Sequence, residues 1–329
     1  MKQSVLGQNG PKVGVVGYGA MSFSDFYGPA TDEGSMAILD ECLELGINHI
    51  DTSNVYGSGR SETVIGHWLK RRGGECPFVI ATKGGITGQA ERRFNNNPKY
   101  LADELDSSLK RLGLEAVDLY YVHRRDTSFE IEEVTETLAG FVKAGKVKAI
   151  GFSEIAPSSL RRAYAVHPVA AVQSEYSLQT RSPEMGLVQT CKDLGVAMVA
   201  FSPVGRGMLT DRPHDAKKAE SIGFIKGNPR FMGRNLTENL AKVEGFQKLA
   251  AEMGTTAATL AIAWLLHQGE HVLPIPGTRH IEHLREVAAG GSMTLSAEDV
   301  ARINAILPIG WAHGDRYSDR QWEGPERYC

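Results

Sequence analysis

The chain has 329 residues and a mass of 35.8 kDa, with 42% hydrophobic and 23% charged residues, which is ordinary for a soluble globular protein. Its formal net charge of −3, without any basic run, argues against nucleic acid or an acidic membrane as its main partner. No apolar run approaches the roughly 18 residues of a membrane-spanning helix, and the first residues lack the apolar core of a secretory signal. The four cysteines are scattered, so we expect a cytoplasmic protein.

Eight short apolar segments alternate with helical patterns along the chain. These predicted strands are 13–17, 47–50, 78–82, 117–122, 147–152, 169–173, 196–201 and 271–275. Most are continuously apolar, which is typical of strands covered on both faces. The alternation predicts parallel strands with helical crossovers, and therefore the α/β class and a (β/α)₈ TIM barrel. An open doubly wound sheet is the alternative, although residues 17–22 lack the GxGxxG phosphate fingerprint.

Two of the intervening helices have particularly clear sequence signals. The apolar face of the first is formed by Leu101, Leu105, Leu109 and Leu112. Asn97 and Pro98 are expected to begin this helix as cap and first helical residue, and Gly113 to lie just past its end. The segment 255–268 is apolar on nearly every side, which predicts a helix packed closely against the rest of the protein.

Three regions lie outside the strand–helix repeat. Residues 3–12 predict an N-terminal hairpin that closes the bottom of the barrel. Residues 205–237 are rich in Gly, Pro, Arg and Asn and predict a functional loop. Residues 307–329 are rich in aromatic and arginine side chains, and we expect a C-terminal tail near the barrel mouth. The chain 1–329 is thus expected to form one domain, with the barrel at about 12–306.

The predicted strands deliver polar side chains to one rim of the barrel. In a barrel enzyme the reactive groups lie at the carboxyl ends of the strands. The residues at those ends are Asp51, Lys83, His123, Ser153, Gln173 and Ser202. Each alone has a structural explanation as a turn, cap or loop residue, but the set together favours an active site.

The chemistry of this rim follows from a phenol beside an ammonium group. Tyr56 follows Asp51 by five residues, and a nearby Lys83 is expected to lower the pKa of the Tyr56 phenol. Asp51 would hold Lys83 in place. Such a phenol is a suitable general acid for a carbonyl oxygen that gains negative charge during hydride delivery. No HxH or HExxH metal spacing and no nucleophile elbow is visible, so a metal-dependent or hydrolytic barrel is the weakest alternative.

At these residues the sequence resembles the aldo-keto reductase superfamily, from about residue 12 to 306. The motifs are Gly46-Ile47-Asn48-His49-Ile50-Asp51-Thr52-Ser53, Tyr56-Gly57, Ile80-Ala81-Thr82-Lys83, Leu119-Tyr120-Tyr121-Val122-His123, Gly151-Phe152-Ser153, Gln173-Ser174-Glu175-Tyr176-Ser177, Phe201-Ser202-Pro203-Val204-Gly205-Arg206-Gly207 and Ile275-Pro276-Gly277-Thr278-Arg279. Further segments at 19–22, 27–29 and 230–231 resemble the bacterial and plant branch that reduces small aldehydes. Members of the superfamily are (β/α)₈ barrels that bind NADPH without a Rossmann fold.

The resemblance implies a catalytic tetrad of Asp51, Tyr56, Lys83 and His123. Tyr56 would be the acid, Lys83 would modulate its pKa, and Asp51 would be the partner of Lys83. His123 would orient the substrate carbonyl. Substrate contacts are then expected from Tyr56, His123 and Tyr27.

The resemblance also implies the residues that hold the cofactor. Ser153 and Gln173 would bind the nicotinamide carboxamide, and Phe201 would stack on the ring. Glu154 stands where the superfamily often has Asn. The remaining contacts are expected from Gly19, Ala20, Met21, Asp51, Ser202, Val204, Arg206, Gly277, Thr278, Arg279, His283 and Glu286.

Two features of these segments favour phosphate binding and NADPH over NADH. The glycine-rich loop after Ser202 offers backbone N–H groups to a pyrophosphate. Gly277-Thr278-Arg279 is expected to open a helix, whose N-terminus favours an anion, and Arg279 suits a 2′-phosphate.

The function implied is an NADPH-dependent oxidoreductase of the NADP-dependent alcohol dehydrogenase type, which reduces an aldehyde or ketone to an alcohol. A small-molecule carbonyl substrate and a monomer are expected. The alternative is a cofactor-binding regulatory barrel that senses redox state and has slow chemistry. Substrate specificity is expected in the loops 22–30, 84–97 and 205–237 and in the tail.

Overall fold

The computed structural model describes residues 1–89 and 93–328, and its centre is a barrel of eight parallel strands. The barrel strands are preceded by a two-stranded hairpin of β1 (Gln3–Val5) and β2 (Lys12–Gly14). The eight barrel strands are β3 (Tyr18–Gly19), β4 (His49–Asp51), β5 (Val79–Gly84), β6 (Val117–Val122), β7 (Val147–Ser153), β8 (Ala171–Glu175), β9 (Ala197–Phe201) and β10 (Val272–Pro274). Each strand from β3 to β10 pairs in parallel with the next. Gly17 N donates to Pro274 O at 2.9 Å and Gly19 N to Pro276 O at 3.1 Å, so the barrel is nearly closed. The predicted (β/α)₈ fold is confirmed.

The start of the barrel differs from the prediction in one respect. The apolar run 13–17 is not the first barrel strand, because its first residues belong to β2, which pairs antiparallel with β1. The first barrel strand is β3, which begins only at Tyr18. Val13 and Val16 are both fully buried, but in different clusters, one inside the barrel and one under the helices. A continuous apolar run in the sequence does not show where the chain leaves the β1–β2 pair and enters the barrel.

Helices surround the barrel and shield its strands from solvent. They are α1 (Asp32–Glu44), α2 (Arg60–Arg72), α3 (Pro98–Leu112), α4 (Ile131–Lys143), α5 (Pro157–Val166), α6 (Leu187–Leu194), α7 (Ala216–Ser221), α8 (Gly223–Lys226), α9 (Gly233–Glu252), α10 (Ala257–His267), α11 (Ile281–Ala289) and α12 (Ala297–Ile306). No single helix among the described residues is long and apolar enough to span a membrane. The two helices α9 and α10 taken together are long and apolar enough, but a sharp bend separates them.

The ends of α3 are those that the sequence predicted. Asn97 accepts a hydrogen bond from Lys99 N at 3.0 Å, Pro98 is the first helical residue, and Gly113 has φ +69°. The four leucines of its apolar face are buried against the barrel. Replacing the fully buried Leu105 by Ala would cost about 2–5 kcal/mol in the free energy of unfolding. The local signals therefore describe this helix correctly.

The segment 205–237 is more ordered than a plain loop. It contains the short helices α7 and α8 and the first residues of α9. Phe224 of α8 packs on Phe26, with ring centroids 4.7 Å apart, and lies 6.2 Å from Tyr27. The segment therefore crosses from β9 to the loop after β3. In the predicted specificity loop 84–97, residues 90–92 lie outside the described residues, as does Cys329 at the end of the tail.

The C-terminal tail lies at the carboxyl ends of the barrel strands, as predicted. Trp311 Nε1 donates to Leu178 O at 2.8 Å, and Glu326 N donates to Glu154 O at 2.9 Å. Glu154 directly follows β7, so the end of the tail is bound next to the strand ends. The fold thus brings the tail, the segment 205–237 and the rim residues to one mouth.

Candidate active site

A buried ion pair lies at the floor of the mouth. Lys83 Nζ donates to Asp51 Oδ1 and, at 2.7 Å, to Thr52 O. Gln173 Nε2 donates to the other carboxylate oxygen of Asp51 at 2.7 Å. Burial lowers the pKa of Lys83 and outweighs the opposing effect of Asp51. The register of β4, β5 and β8 thus joins three side chains that are distant in sequence.

Tyr56 lies above this pair, in the turn between β4 and α2. The Lys83 ammonium is 5.1 Å from the centre of the Tyr56 ring. In the described part of the chain the Tyr56 hydroxyl makes no hydrogen bond, so it is available to a ligand. Burial, with the charge of Asp51, raises the pKa of Tyr56, whereas Arg124 lowers it. The lowered pKa that the sequence predicts for Tyr56 was wrong in direction, because burial and the Asp51 charge outweigh the lowering by Arg124.

His123 lies beside Tyr56 at the end of β6. Their rings meet edge to face, with centroids 5.8 Å apart. His123 Nδ1 is hydrogen-bonded to Ser53 Oγ at 3.1 Å, which fixes the plane of the imidazole. Burial, with the charges of Lys83 and Arg124, lowers the pKa of His123 well below its ordinary value. His123 is therefore a neutral hydrogen-bonding group at neutral pH.

Ser153 and Gln173 lie side by side in the register of β7 and β8. Their hydrogen bonds here are to protein groups: Gln173 holds Asp51, and Ser153 Oγ accepts from Arg124 Nη1 at 2.9 Å. Phe201, the last residue of β9, is half-buried and pairs in register with Glu175. All three expected nicotinamide contacts are thus at the same rim as the buried ion pair.

A buried cluster of charges, which the sequence did not reveal, lies between the rim and the tail. It consists of Glu154, Glu175, Arg206, Arg230 and Arg316, each less than 10% exposed. Arg316 pairs with Glu154, and Arg206 Nη2 with Glu175. Three guanidinium groups therefore face two carboxylates, and one positive charge is in excess. Arg206 Nε and Nη1 are buried and have no hydrogen-bond partner among the described residues.

The tail also brings an aromatic side chain to the mouth. The ring of Tyr317 lies 5.0 Å from the Arg206 guanidinium and 4.8 Å from that of Arg316. Burial raises the pKa of Tyr27 to about 12, with smaller effects from the charges of Arg206 and Glu175. The arginine and aromatic content of the tail was the only sequence signal for this contact.

The predicted phosphate loop after β9 has an unusual backbone. Ser202 and Arg206 have φ values of +51° and +58°, a left-handed conformation that non-glycine residues rarely adopt. Val204 is the N-cap of a single 3₁₀ turn, Gly205–Gly207, which contains Arg206. This compact turn places the Arg206 side chain inward, against the buried cluster.

The segment before α11 corrects one prediction. Gly277-Thr278-Arg279 does not open the helix, because His280 is its N-cap and the helix begins at Ile281. The local reason is that Thr278 O accepts hydrogen bonds from Tyr18 and Ser22 and that Arg279 Nη1 donates to Pro29 O at 2.6 Å. These contacts hold the segment against the loop after β3.

The other expected cofactor contacts surround this segment. Gly19, Ala20 and Met21 form the end of β3 and the following 3₁₀ turn. A side chain at Gly277 would collide with Gly19 O, so the two segments approach closely. His283 and Glu286 lie on α11 and are half-buried. In the described residues there is no group of three or more His, Cys, Asp or Glu side chains suited to hold a metal ion.

Comparisons with known proteins agree with this geometry. The model of the aldo/keto reductase family matches residues 15–308. The chain is 37% identical to aldo-keto reductase yakc [NADP(+)] of Schizosaccharomyces pombe, over 93% of this chain and 92% of that protein. It is 38% identical to probable aldo-keto reductase 1 of Glycine max, over 95% and 90% of the two chains.

Two solved structures have a similar fold. The glycerol dehydrogenase AKR11B4 from Gluconobacter oxydans gives a TM-score of 0.80 at 26% identity, covering 93% of this chain and 94% of that one. The thermostable aldo-keto reductase Tm1743, in complex with the inhibitor epalrestat, gives 0.75 at 26% identity, covering 93% and 100%.

Proposed function

The chain belongs to the aldo/keto reductase family, and from this premise we propose that it is an NADPH-dependent reductase of aldehydes or ketones, of the NADP-dependent alcohol dehydrogenase type. The observation that carries the proposal is the unpaired hydroxyl of Tyr56 above the buried Asp51–Lys83 pair and beside His123. Carbonyl reduction needs a proton donor that faces the substrate oxygen, and this arrangement supplies one.

The residues at the mouth fit a dinucleotide phosphate. The buried, unpartnered nitrogens of Arg206 are donors without an acceptor, and the excess positive charge of the cluster favours an anion. Arg206 with the Ser202–Gly207 turn would hold the pyrophosphate, and Arg279 the 2′-phosphate. Ser153, Gln173 and Phe201 would hold the nicotinamide. When bound, NADPH would supply the hydride to the carbonyl carbon.

Tyr56 would donate the proton to the carbonyl oxygen. Its raised pKa keeps the phenol protonated throughout the physiological pH range, as a proton donor requires. Lys83 would offset the negative charge that develops on the phenolate as the proton leaves, and Asp51 and Thr52 hold the ammonium in place. His123 is neutral and fixed by Ser53, so it would orient the carbonyl without supplying charge.

The proposal is tested by binding and turnover in one preparation. Quenching of protein fluorescence gives the affinity for NADPH and NADH, and NADPH oxidation at 340 nm with short aliphatic and aromatic aldehydes gives turnover. Tight NADPH binding with turnover is expected. Tight binding without turnover on any carbonyl would favour the regulatory barrel instead, and no binding of either nucleotide would contradict both functions.

A further inference from the structure

Arg124 follows His123 directly and is held firmly at the mouth. Its Nη1 donates to His123 O at 2.7 Å and to Ser153 Oγ at 2.9 Å. A Cβ added at Gly324 of the tail would come within 3.0 Å of Arg124 Cδ, so the aliphatic stem packs tightly under the tail. The guanidinium group is therefore fixed beside the catalytic residues.

In the described residues no carboxylate lies within ion-pair distance of Arg124, and the Glu154 carboxylate, which feels its charge, is paired directly with Arg316. The other arginines nearby each have an acidic partner: Arg125 pairs with Glu326, Arg206 with Glu175 and Arg316 with Glu154. Across residues 1–89 and 93–328, the Nε and Nη2 of Arg124 make no hydrogen bond. Nε and Nη2 together form one edge of the guanidinium. Through such an edge an arginine binds a carboxylate with two parallel hydrogen bonds.

Arg124 is held next to the proposed proton donor, because it bonds Ser153 and the carbonyl of His123, whose ring meets that of Tyr56 edge to face. Burial is the main influence on the pKa values of Tyr56 and His123, and the Arg124 charge lowers both, so its field reaches both groups. Tyr317 of the tail also interacts electrostatically with Arg124 and Tyr56. A substrate whose carbonyl meets Tyr56 and His123 would therefore lie within the field of an unpaired guanidinium.

We propose that Arg124 binds a carboxylate of the substrate, so that the enzyme prefers an aldehyde that also carries a carboxylate. This inference rests on the proposed reductase function and adds the substrate class. The rival explanation is that Arg124 only positions Ser153 and His123, in which case its loss would affect charged and neutral aldehydes alike.

The test compares aldehydes that differ only in charge. Succinic semialdehyde is paired with its methyl ester, and 4-carboxybenzaldehyde with methyl 4-formylbenzoate. The readout is the ratio of kcat/KM for the acid to kcat/KM for the ester, with NADPH in excess. For the wild type we expect a ratio of at least about 10 in one of the pairs, which is the size of effect that a charge-assisted hydrogen bond produces.

Arg124→Gln should reduce that ratio to about 1, and Arg124→Lys, which keeps the charge but not the planar edge, should give an intermediate value. Arg234→Gln is the matched control, because Arg234 is 90% exposed on α9 and its loss changes the net charge equally. Increasing the salt concentration should lower kcat/KM for the acids more than for the esters. A purely structural role of Arg124 would not give this difference in salt dependence.

Three results would overturn the assignment. In the first, the wild type reduces the esters at least as well as the acids, which leaves the reductase function intact. In the second, Arg124→Gln lowers kcat/KM for acid and ester by the same factor, which supports the positioning role alone. In the third, no NADPH is oxidised with any of the four aldehydes, which contradicts the proposed function and the carboxylate assignment together.

Discussion

Both terminal nitrogens of Arg316 donate to the carboxylate of Glu154, 162 residues earlier in the chain. Burial raises the pKa of Glu154, but the charge and hydrogen bonds of Arg316, together with the Arg124 charge and the hydrogen bond from Glu175 N, outweigh it and hold that pKa at about 2. The same carboxylate accepts from Glu175 N at 2.7 Å. The pair therefore joins the end of β7 to the C-terminal tail and holds Tyr317 over the mouth.

The Glu154–Arg316 pair should contribute measurably to stability. Glu154→Gln leaves the buried Arg316 guanidinium without its main counter-charge, so we expect the free energy of unfolding to fall by about 3–5 kcal/mol. Urea unfolding of Glu154→Gln, Arg316→Gln and the double variant measures it. The loss in the double variant should be clearly smaller than the sum of the single losses.

The control for this cycle is the exposed pair Arg234 and Glu238 on α9, where the same change should cost less than about 1 kcal/mol. Additive losses at Glu154 and Arg316 would show that the two side chains act independently. Limited proteolysis should cut the tail of Glu154→Gln faster than that of the wild type, because Arg316 no longer holds it.

His49 should make the protein sensitive to mild acid. It is fully buried on β4, and neither ring nitrogen has a hydrogen-bond partner in the part of the chain that the structure describes. Burial lowers its pKa despite the charge of Asp51. Below about pH 6.5 the unfolded chain therefore takes up a proton that the folded state does not bind. Stability should fall as the pH decreases, by up to about 1.4 kcal/mol per pH unit for this residue.

Urea unfolding between pH 7.5 and 5.0 measures this slope. His49→Leu should have a shallower slope than the wild type, whereas His67→Leu, at an exposed position on α2, should not change it. Equal slopes in the wild type and His49→Leu would mean that His49 binds a proton in the folded state as readily as in the unfolded one.

Arg279 should determine the preference for NADPH. Its guanidinium is half-exposed and held near the loop after β3 by Pro29 O, where it would meet a 2′-phosphate. We expect Arg279→Gln to weaken NADPH binding about 10-fold to 100-fold and NADH binding less than about 3-fold. Fluorescence titration with both nucleotides measures the two affinities.

Arg285→Gln is the matched control, because Arg285 lies on α11 and is 63% exposed, paired with Glu41. It should change neither affinity appreciably. An equal loss of NADPH and NADH affinity in Arg279→Gln would show that Arg279 supports the loop rather than recognising the 2′-phosphate.

The sequence predicted those features that depend on local patterns. Continuous apolar runs marked all barrel strands except the first, and the polar residues that ended them identified Asp51, Lys83 and His123 as neighbours. The leucine spacing and the end residues gave α3 its bounds. These predictions succeed because strand ends of a parallel barrel meet at one rim regardless of the intervening chain.

Features that depend on distant partners could not be predicted in this way. The pairing of Glu154 with Arg316 and of Arg206 with Glu175 joins segments whose local sequences give no indication of each other. The direction of the Tyr56 pKa was wrong because it depends on how deeply the fold buries the phenol. The start of α11 was misplaced because contacts with β3 and its loop hold residues 277–279 outside the helix.

The most direct test of the central claim is single-turnover reduction of an aldehyde by NADPH in the wild type and in Tyr56→Phe. The variant keeps the ring above Lys83 and removes only the hydroxyl that would donate the proton. We predict an unchanged affinity for NADPH and a rate of NADPH oxidation lower by about 10²-fold to 10⁴-fold, the usual contribution of a general acid. Tyr56→Phe that binds NADPH and reduces the aldehyde at the wild-type rate would contradict the proposed role of Tyr56 as the proton donor.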